Sequence, residues 1–184
     1  GPATGPVVLR PDRPWEMTAP SPCAMVFSDG VFWDPKDRLF KMWYMAGYVA
    51  GTGYAVSHDG IAWEKPSLDV FPGTNLVQKG WRDSSTVWLD HGERDPARRF
   101  KMAWWADGAL SLTTSPDGIH WAEPVRSGPA GDRTTFFRDP FRDRWIFSLR
   151  AGIPGDPRVR RYHEARDLLG DARWEPDGPP LWVG

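Results

Sequence analysis

Two nearly identical stretches decide the fold that the sequence predicts, Ser57-His58-Asp59-Gly60-Ile61-Ala62-Trp63 and Ser115-Pro116-Asp117-Gly118-Ile119-His120-Trp121. They share Ser, Asp, Gly, Ile and Trp at matching places, and a Trp-x-x-Pro tail follows from each tryptophan. Asp-Gly favours a tight turn because glycine accepts a positive φ. A related Trp-Glu-Pro stands at Trp174-Glu175-Pro176, and Trp15-Glu16 is a shorter echo. A motif that returns about every 50–60 residues indicates an internal structural repeat.

A second unit precedes each turn and reads as a hairpin. Asp34-Pro35 opens a segment that continues to Phe40-Lys41-Met42-Trp43-Tyr44, and Asp95-Pro96 and Asp139-Pro140 open its later copies. Proline presets φ for the second position of a β-turn, so Asp-Pro is a turn opener. The aromatic-rich segments that follow are typical of strands.

Each repeat is therefore predicted to contain four antiparallel strands. The predicted strands are Met25–Trp33, Leu39–Gly47, Thr52–Ser57 and Ile61–Glu64; Ser85–Leu89, Phe100–Ala106, Ala109–Thr114 and Ile119–Glu123; and Thr134–Phe137, Trp145–Arg150, Arg158–His163 and Ala172–Glu175. A four-stranded meander of roughly 50 residues is the blade of a β-propeller. The fold class predicted is all-β, a β-propeller; a β-sandwich of short strands is the alternative.

The repeats give about three blades in one partial domain, at residues 24–66, 82–124 and 132–176, with a stray closing strand at 14–16. Propellers typically have 4 to 8 blades, and an open array leaves strand edges bare. We expect the chain either to lack C-terminal blades or to complete itself by self-association, and we favour missing blades.

Charge and composition exclude several classes of function. The formal net charge is −1, so neither the basic excess of a nucleic-acid protein nor a polybasic membrane surface is expected. No apolar run is long enough for a transmembrane helix, and no signal peptide is visible, so the compartment stays open. One cysteine, Cys23, excludes an internal disulfide. No zinc spacing is present and no cofactor is expected, although acidic turns leave calcium open.

The candidate catalytic residues are aspartates that come just before a β-rich, apolar run of the first strand of each blade, because those strands line the central channel of a propeller. They are Asp29, Asp83 and Asp132. Carboxylates that converge on one axis suit general acid and base chemistry on a glycosidic bond. The alternative is that each aspartate only forms a turn.

Other candidates come from charge and aromatic content. Glu164 is a fourth carboxylate, flanked by basic residues, for which a solvated charged edge is the alternative. Arg82 and Arg133 stand in the same leading segments as the aspartates, and we expect them to bind substrate. Among twelve tryptophans, Trp81 and Trp105 lie beside strand ends and polar residues. They are the candidates for stacking on sugar rings, whereas most of the others are expected to pack between blades.

The Ser-x-Asp-Gly-Ile-x-Trp turns and the Phe-Lys-Met strands before them resemble the five-bladed β-propeller glycoside hydrolases of families 32, 43 and 68 and their bacterial relatives. The resemblance spans about Pro14 to Trp182 and implies an incomplete five-bladed ring. The turn motif marks the architecture well and the substrate poorly. The Trp-Met-Asn-Asp-Pro-Asn and Glu-Cys motifs of family 32 are absent.

The resemblance also implies roles for the carboxylates. In that family an inward Asp is base or nucleophile, a second stabilises the transition state, and a Glu is the general acid. By blade order Asp29 takes the first role, Asp83 the second, and Glu164 or Asp132 a weaker third. Arg138-Asp139-Pro140 matches the stabiliser motif of family 32, but the internal repeat makes Asp139 a hairpin turn residue.

Three functions follow as hypotheses. The first is a glycoside hydrolase that acts on a furanoside or another small glycan. The second is a non-catalytic propeller that binds a carbohydrate or a protein partner. The third is an inactive fragment of a larger enzyme.

Overall fold

The computed structural model describes residue 5 and residues 7–183. The chain divides into two compact units, Gly1–Gly80 and Trp81–Gly184. The described part of the chain contains no helix with the length and hydrophobicity that a membrane span requires.

The first unit contains one four-stranded antiparallel sheet. Its strands are β1 (Ala24–Asp34), β2 (Leu39–Ala46), β3 (Gly51–Ser57) and β4 (Leu76–Lys79), paired in chain order. The core on this sheet is formed by Met42, Tyr44, Ala46, Ala55 and Leu76.

The second unit contains two more such sheets. The first has β5 (Ser85–Leu89), β6 (Phe100–Ala106), β7 (Ala109–Ser115) and β8 (Val125–Pro129). The second has β9 (Thr135–Asp139), β10 (Arg144–Ile153), β11 (Asp156–Ala165) and β12 (Leu181–Val183). The core of this unit draws on both sheets and includes Leu110, Leu112, Phe136, Trp145 and Phe147.

The all-β prediction is confirmed, and the three four-stranded antiparallel meanders are consistent with the blades of a propeller-like fold. The first three predicted strands of each repeat appear within a few residues of their expected bounds. The closure of a five-bladed ring stays a prediction.

The fourth strand of every repeat lies later in the chain than the sequence predicts, and in the first repeat the predicted strand Ile61–Glu64 begins inside a turn. Ser57 Oγ accepts the amides of Asp59 and Gly60, and Asp59 Oδ1 accepts those of Ile61 and Ala62. Between this turn and β4 the described chain forms only two isolated bridges, Val56 with Glu64 and Leu68 with Thr74. The true edge strand comes later and pairs with the first half of the third strand, at Gly51–Gly53 in the first sheet.

The stray strand at residues 14–16 is also wrong. Pro14–Glu16 forms a 3-10 turn. The buried Glu16 carboxylate closes this turn by accepting the amides of Asp12 and Arg13 at 2.8 and 3.0 Å. The same carboxylate accepts Tyr44 Oη at 2.6 Å and pairs with Lys65 at 2.8 Å, so it ties the turn to the first sheet.

Each β-hairpin between the first two strands of a sheet is closed by an aspartate, although not always the one that the repeat predicts. Asp34 and Asp139 accept the amide two residues on, at Lys36 and Phe141. Asp139 is therefore confirmed as a turn residue. In the second repeat the residue at this register is Asp90, which accepts the amide of Gly92, while Asp95 caps the 3-10 turn Pro96–Arg98 inside a longer hairpin.

Candidate functional site

The segment that leads into β5 holds three of the predicted site residues. Arg82 is fully buried and Asp83 nearly so. The backbone of this segment is fixed against the end of β6, because the Asp83 amide donates to the Trp105 carbonyl and the Trp105 amide donates to the Ser84 carbonyl, at 3.1 and 2.8 Å. The two predicted positions, Asp83 and Trp105, are thus direct neighbours.

Trp81 and Trp105 form an aromatic pair. Their ring centroids are 5.4 Å apart at an interplanar angle of 59°. Trp105 is anchored through its indole Nε1, which donates to the Ala130 carbonyl at 2.7 Å. Trp81 is 53% exposed, so its ring is accessible to solvent while it packs on the anchored ring of Trp105.

Arg133 joins this cluster from the segment before β9. Its Nε lies 3.2 Å from Asp83 Oδ2, and its amide donates to Ser84 Oγ at 2.9 Å. Its φ of 60° lies in the left-handed region, which costs a residue other than glycine on the order of 1 kcal/mol. The contacts to Asp83 and Ser84 accompany this strained conformation.

Beside Arg133 lies a cavity of about 420 Å³. Its walls are Asp132, Arg133, Arg150, Arg158, Val159 and Arg160. Asp132 Oδ1 pairs with Arg150 Nη1 at 3.1 Å, and both side chains are about one third exposed. Arg160 Nη1 donates to the carbonyls of Arg133 and Ser148, at 2.7 and 3.2 Å.

Sheet register explains why these groups meet. Arg150 on β10 stands opposite Arg160 on β11, and the Thr134 hydroxyl accepts the Arg150 amide at 3.0 Å. The start of β9, the end of β10 and the start of β11 therefore share one end of the sheet. Sequence reasoning named Asp132 and Arg133 there but missed Arg150, Arg158 and Arg160. The alternation of Arg158 and Arg160 on one strand face was the available signal.

Glu164 lies at the opposite end of the same sheet. It follows Arg160 by four residues along β11, which corresponds to about 13 Å of extended strand. The Tyr162 hydroxyl donates to its carboxylate, and together with the Arg142 guanidinium it holds the pKa of Glu164 below its ordinary value. A general acid needs the opposite shift. The structure therefore does not bring Glu164 together with Asp132.

Asp29 belongs to the first unit. It lies in β1, where pairing with β2 is interrupted between Met25 and Gly30, and its side chain is fully buried. Asp83 is nearly buried, and Asp132 is the most accessible of the three predicted aspartates.

No metal centre is evident in the described residues, which contain no cluster of three or more His, Cys, Asp or Glu side chains arranged to hold a metal ion. Calcium was left open for the acidic turns. In these turns Asp59 Oδ1 and Asp117 Oδ1 each accept two backbone amides, so one oxygen of each carboxylate holds the turn.

No protein-family model matches the chain, and no curated sequence matches it. Among solved structures, it is similar to an N-acetylgalactosamine deacetylase from F. plautii in complex with blood group B trisaccharide. The TM-score is 0.55 at 17% sequence identity, and the match covers 94% of this chain and 57% of the deacetylase chain. At this identity the likeness shows the fold alone, and the chain spans little more than half the length of that enzyme.

A second match is to a fructofuranosidase variant from Schwanniomyces occidentalis complexed with fructosylnystose. It has a TM-score of 0.29 at 12% identity and covers 79% of this chain and 45% of the other.

Proposed function

We propose that the second unit binds a carbohydrate at the cluster formed by Trp81, Trp105, Asp83 and Arg133, in a carbohydrate-active β-propeller. The observation that carries this proposal is the aromatic pair beside the carboxylate and guanidinium. Small-molecule sites combine apolar and aromatic faces with a few fixed polar groups. Here Trp81 offers an exposed face, and the Asp83–Arg133 pair and Asp132 offer hydrogen-bond acceptors and donors for hydroxyl groups.

The fold supports the same proposal. The deacetylase that shares it was solved in complex with a trisaccharide. The resemblance of the turn motifs to propeller glycoside hydrolases points to the same class of ligand.

Trp81→Ala tests the proposal, with Trp182→Ala as its matched control. Trp182 is 48% exposed and stands against Tyr162 with centroids 5.1 Å apart, so the two variants remove equally exposed tryptophans from aromatic pairs in the same unit. Calorimetric titration with a panel of neutral oligosaccharides should show at least tenfold weaker binding for Trp81→Ala only. Equal affinities for the two variants would contradict the proposal.

Hydrolysis of a glycosidic bond is the second candidate function. The observation that favours it is the placement of Asp132 in the cavity wall beside Arg133, which also pairs with Asp83. Asp83→Asn and Asp132→Asn should each abolish the release of reducing sugar, while Asp139→Asn, in the hairpin at the other end of the sheet, should not. Wild-type turnover in the Asp132→Asn variant would exclude that residue from catalysis.

The solution mass decides how the activity assay is interpreted. We propose that the chain functions with further blades or through self-association, because its match covers 57% of a longer enzyme. Light scattering that gives a closed assembly would make the assay on this chain decisive. A monomer near 20.8 kDa would require the same variants in a longer protein.

A further inference from the structure

The cavity beside Arg133 has a predominantly positive wall. Four of its six lining residues are arginines, and one, Asp132, is acidic. The chain as a whole has a formal net charge of −1, so this is a local concentration of positive charge. Low-dielectric walls that carry one sign of charge attract ligands of the opposite sign.

The sheet incurs a cost for this arrangement. Arg150 and Arg160 are directly opposite each other on neighbouring antiparallel strands, and like charges at such positions are destabilising. Asp132 pairs with Arg150, whereas Arg160 donates to two neutral backbone carbonyls. These carbonyl bonds orient the Arg160 guanidinium without neutralising it. An anion in the cavity would offset the part of this repulsion that the Asp132–Arg150 pair does not.

We propose that this cavity binds the carboxylate or sulfate group of an acidic sugar. A guanidinium presents paired N–H donors whose spacing matches the two oxygens of such an anion. Asp83 links the two features, because its amide donates to the Trp105 carbonyl and its carboxylate contacts Arg133 of the cavity wall. A sugar ring on Trp81 and its anionic neighbour in the cavity would then share one binding surface. The inference rests on the proposed carbohydrate function and names its ligand class.

The test uses pairs of probes that differ only in charge. Uronic acid oligosaccharides are compared with their methyl esters, sulfated oligosaccharides with their unsulfated parents, and sodium sulfate is titrated alone. Binding is measured by calorimetry on the 184-residue chain at low and high salt. We expect one acidic probe to bind at least tenfold tighter than its neutral partner, and the advantage to shrink at high salt because of screening.

Arg160→Gln and Arg158→Gln should each remove the tighter binding of the acidic probe. They are made as two single variants, so that one remains informative where the other disturbs folding. Arg144→Gln is the matched control, because Arg144 also donates to two backbone carbonyls but lies at the opposite end of the sheet. The control should bind the acidic probe as the wild type does.

Three results would overturn the inference, and they separate it from the proposed function. Equal affinity for acidic and neutral probes, lost in Trp81→Ala, would leave a carbohydrate site without an anion site. Acidic preference retained in both arginine variants would place the anion elsewhere. Sodium sulfate that binds as tightly as the acidic sugar, with no effect of Trp81→Ala, would contradict the carbohydrate function as well.

Discussion

The same position of β2, β6 and β10 holds a lysine in two sheets and an isoleucine in the third. Lys41 and Lys101 are 2% and 1% exposed, and Ile146, at the matching register, is 1% exposed. Lys41 Nζ pairs with Asp34 and Asp37 at 2.9 and 2.6 Å. Lys101 Nζ pairs with Glu93 and Asp90 at 2.8 and 3.4 Å.

In the third hairpin the cation comes from the hairpin itself and not from the neighbouring strand. Asp139 takes the place of Asp34, and Arg142 takes the place of Asp37. Arg142 Nε pairs with Asp139 at 2.8 Å, and its guanidinium also reaches Glu164. The positive charge has moved from the buried strand to the exposed hairpin. Glu164 therefore takes part in the electrostatics of this hairpin. The comparison teaches that each hairpin aspartate is paired with a cation whose source can differ.

The largest effect is expected from Ile146→Lys. The new ammonium would be buried next to a hairpin whose aspartate is already paired, and an uncompensated buried charge costs several kcal/mol. We expect loss of cooperative unfolding or at least about 3 kcal/mol of destabilisation in chemical denaturation. Ile146→Val, which should cost about 1 kcal/mol, is the size control.

Adding Arg142→Asp to Ile146→Lys sharpens the comparison, because the pair rebuilds the charge pattern of the first hairpin. The double variant should regain a substantial part of the lost stability. If it is no more stable than Ile146→Lys alone, the idea that cation sources are interchangeable is wrong.

Lys41→Met should rank second. Asp34 is fully buried, so removal of its lysine partner leaves a carboxylate that water cannot reach, and breaking such a pair costs about 3–5 kcal/mol. Denaturant titration measures the loss. Lys36→Met changes an exposed lysine of the same hairpin and should be nearly neutral.

Lys101→Met should cost less, about 1–3 kcal/mol, although Lys101 is buried as deeply. Its partners Asp90 and Glu93 keep side-chain exposures of 11% and 20%, so water can solvate them when the lysine is lost. A loss equal to that of Lys41→Met would show that the burial of the lysine, and not of its partners, sets the cost.

The repeat predicted the fold well because hairpins and strands are local. The repeat failed to predict features that depend on the length of a hairpin or on the pairing register of the fourth strand. The Asp95-Pro96 dipeptide looks like Asp34-Pro35, but the second hairpin is longer and Asp90 takes the closing role. The Trp-x-x-Pro segments look strand-like, yet the turn before them satisfies its own amides, and the fourth strand pairs only further along.

The candidate site was predictable to the extent that it lies in the segments that lead into first strands. Trp81, Asp83, Asp132 and Arg133 follow from that rule, and the structure groups them in one unit. Arg150 and Arg160 could not be found this way, because they reach the cavity through the pairing of β10 with β11. Glu164 looked similar in sequence, but the direction of its strand takes it to the far end.

The smallest effect concerns the two Asp-Gly turns, which differ at two of seven residues, His58 against Pro116 and Ala62 against His120. Burial pushes the pKa of Asp117 upward, but hydrogen bonds from His120, Ile119 and Ser115 outweigh it and lower the pKa from 3.8 to about 2. In the first turn Ala62 replaces His120, and backbone amides lower the pKa of Asp59.

A carboxyl group whose pKa is lower in the folded state stabilises the fold at pH values above its unfolded pKa. This contribution is lost as the pH falls toward the folded pKa. The stability gap between wild type and Asp117→Asn should therefore close between about pH 4 and pH 2. In a His120→Ala background, Asp117→Asn should lower the melting temperature at pH 7 by less, closer to the loss that Asp59→Asn causes. A difference between wild type and Asp117→Asn that does not change with pH would mean that the Asp117 charge contributes nothing to stability.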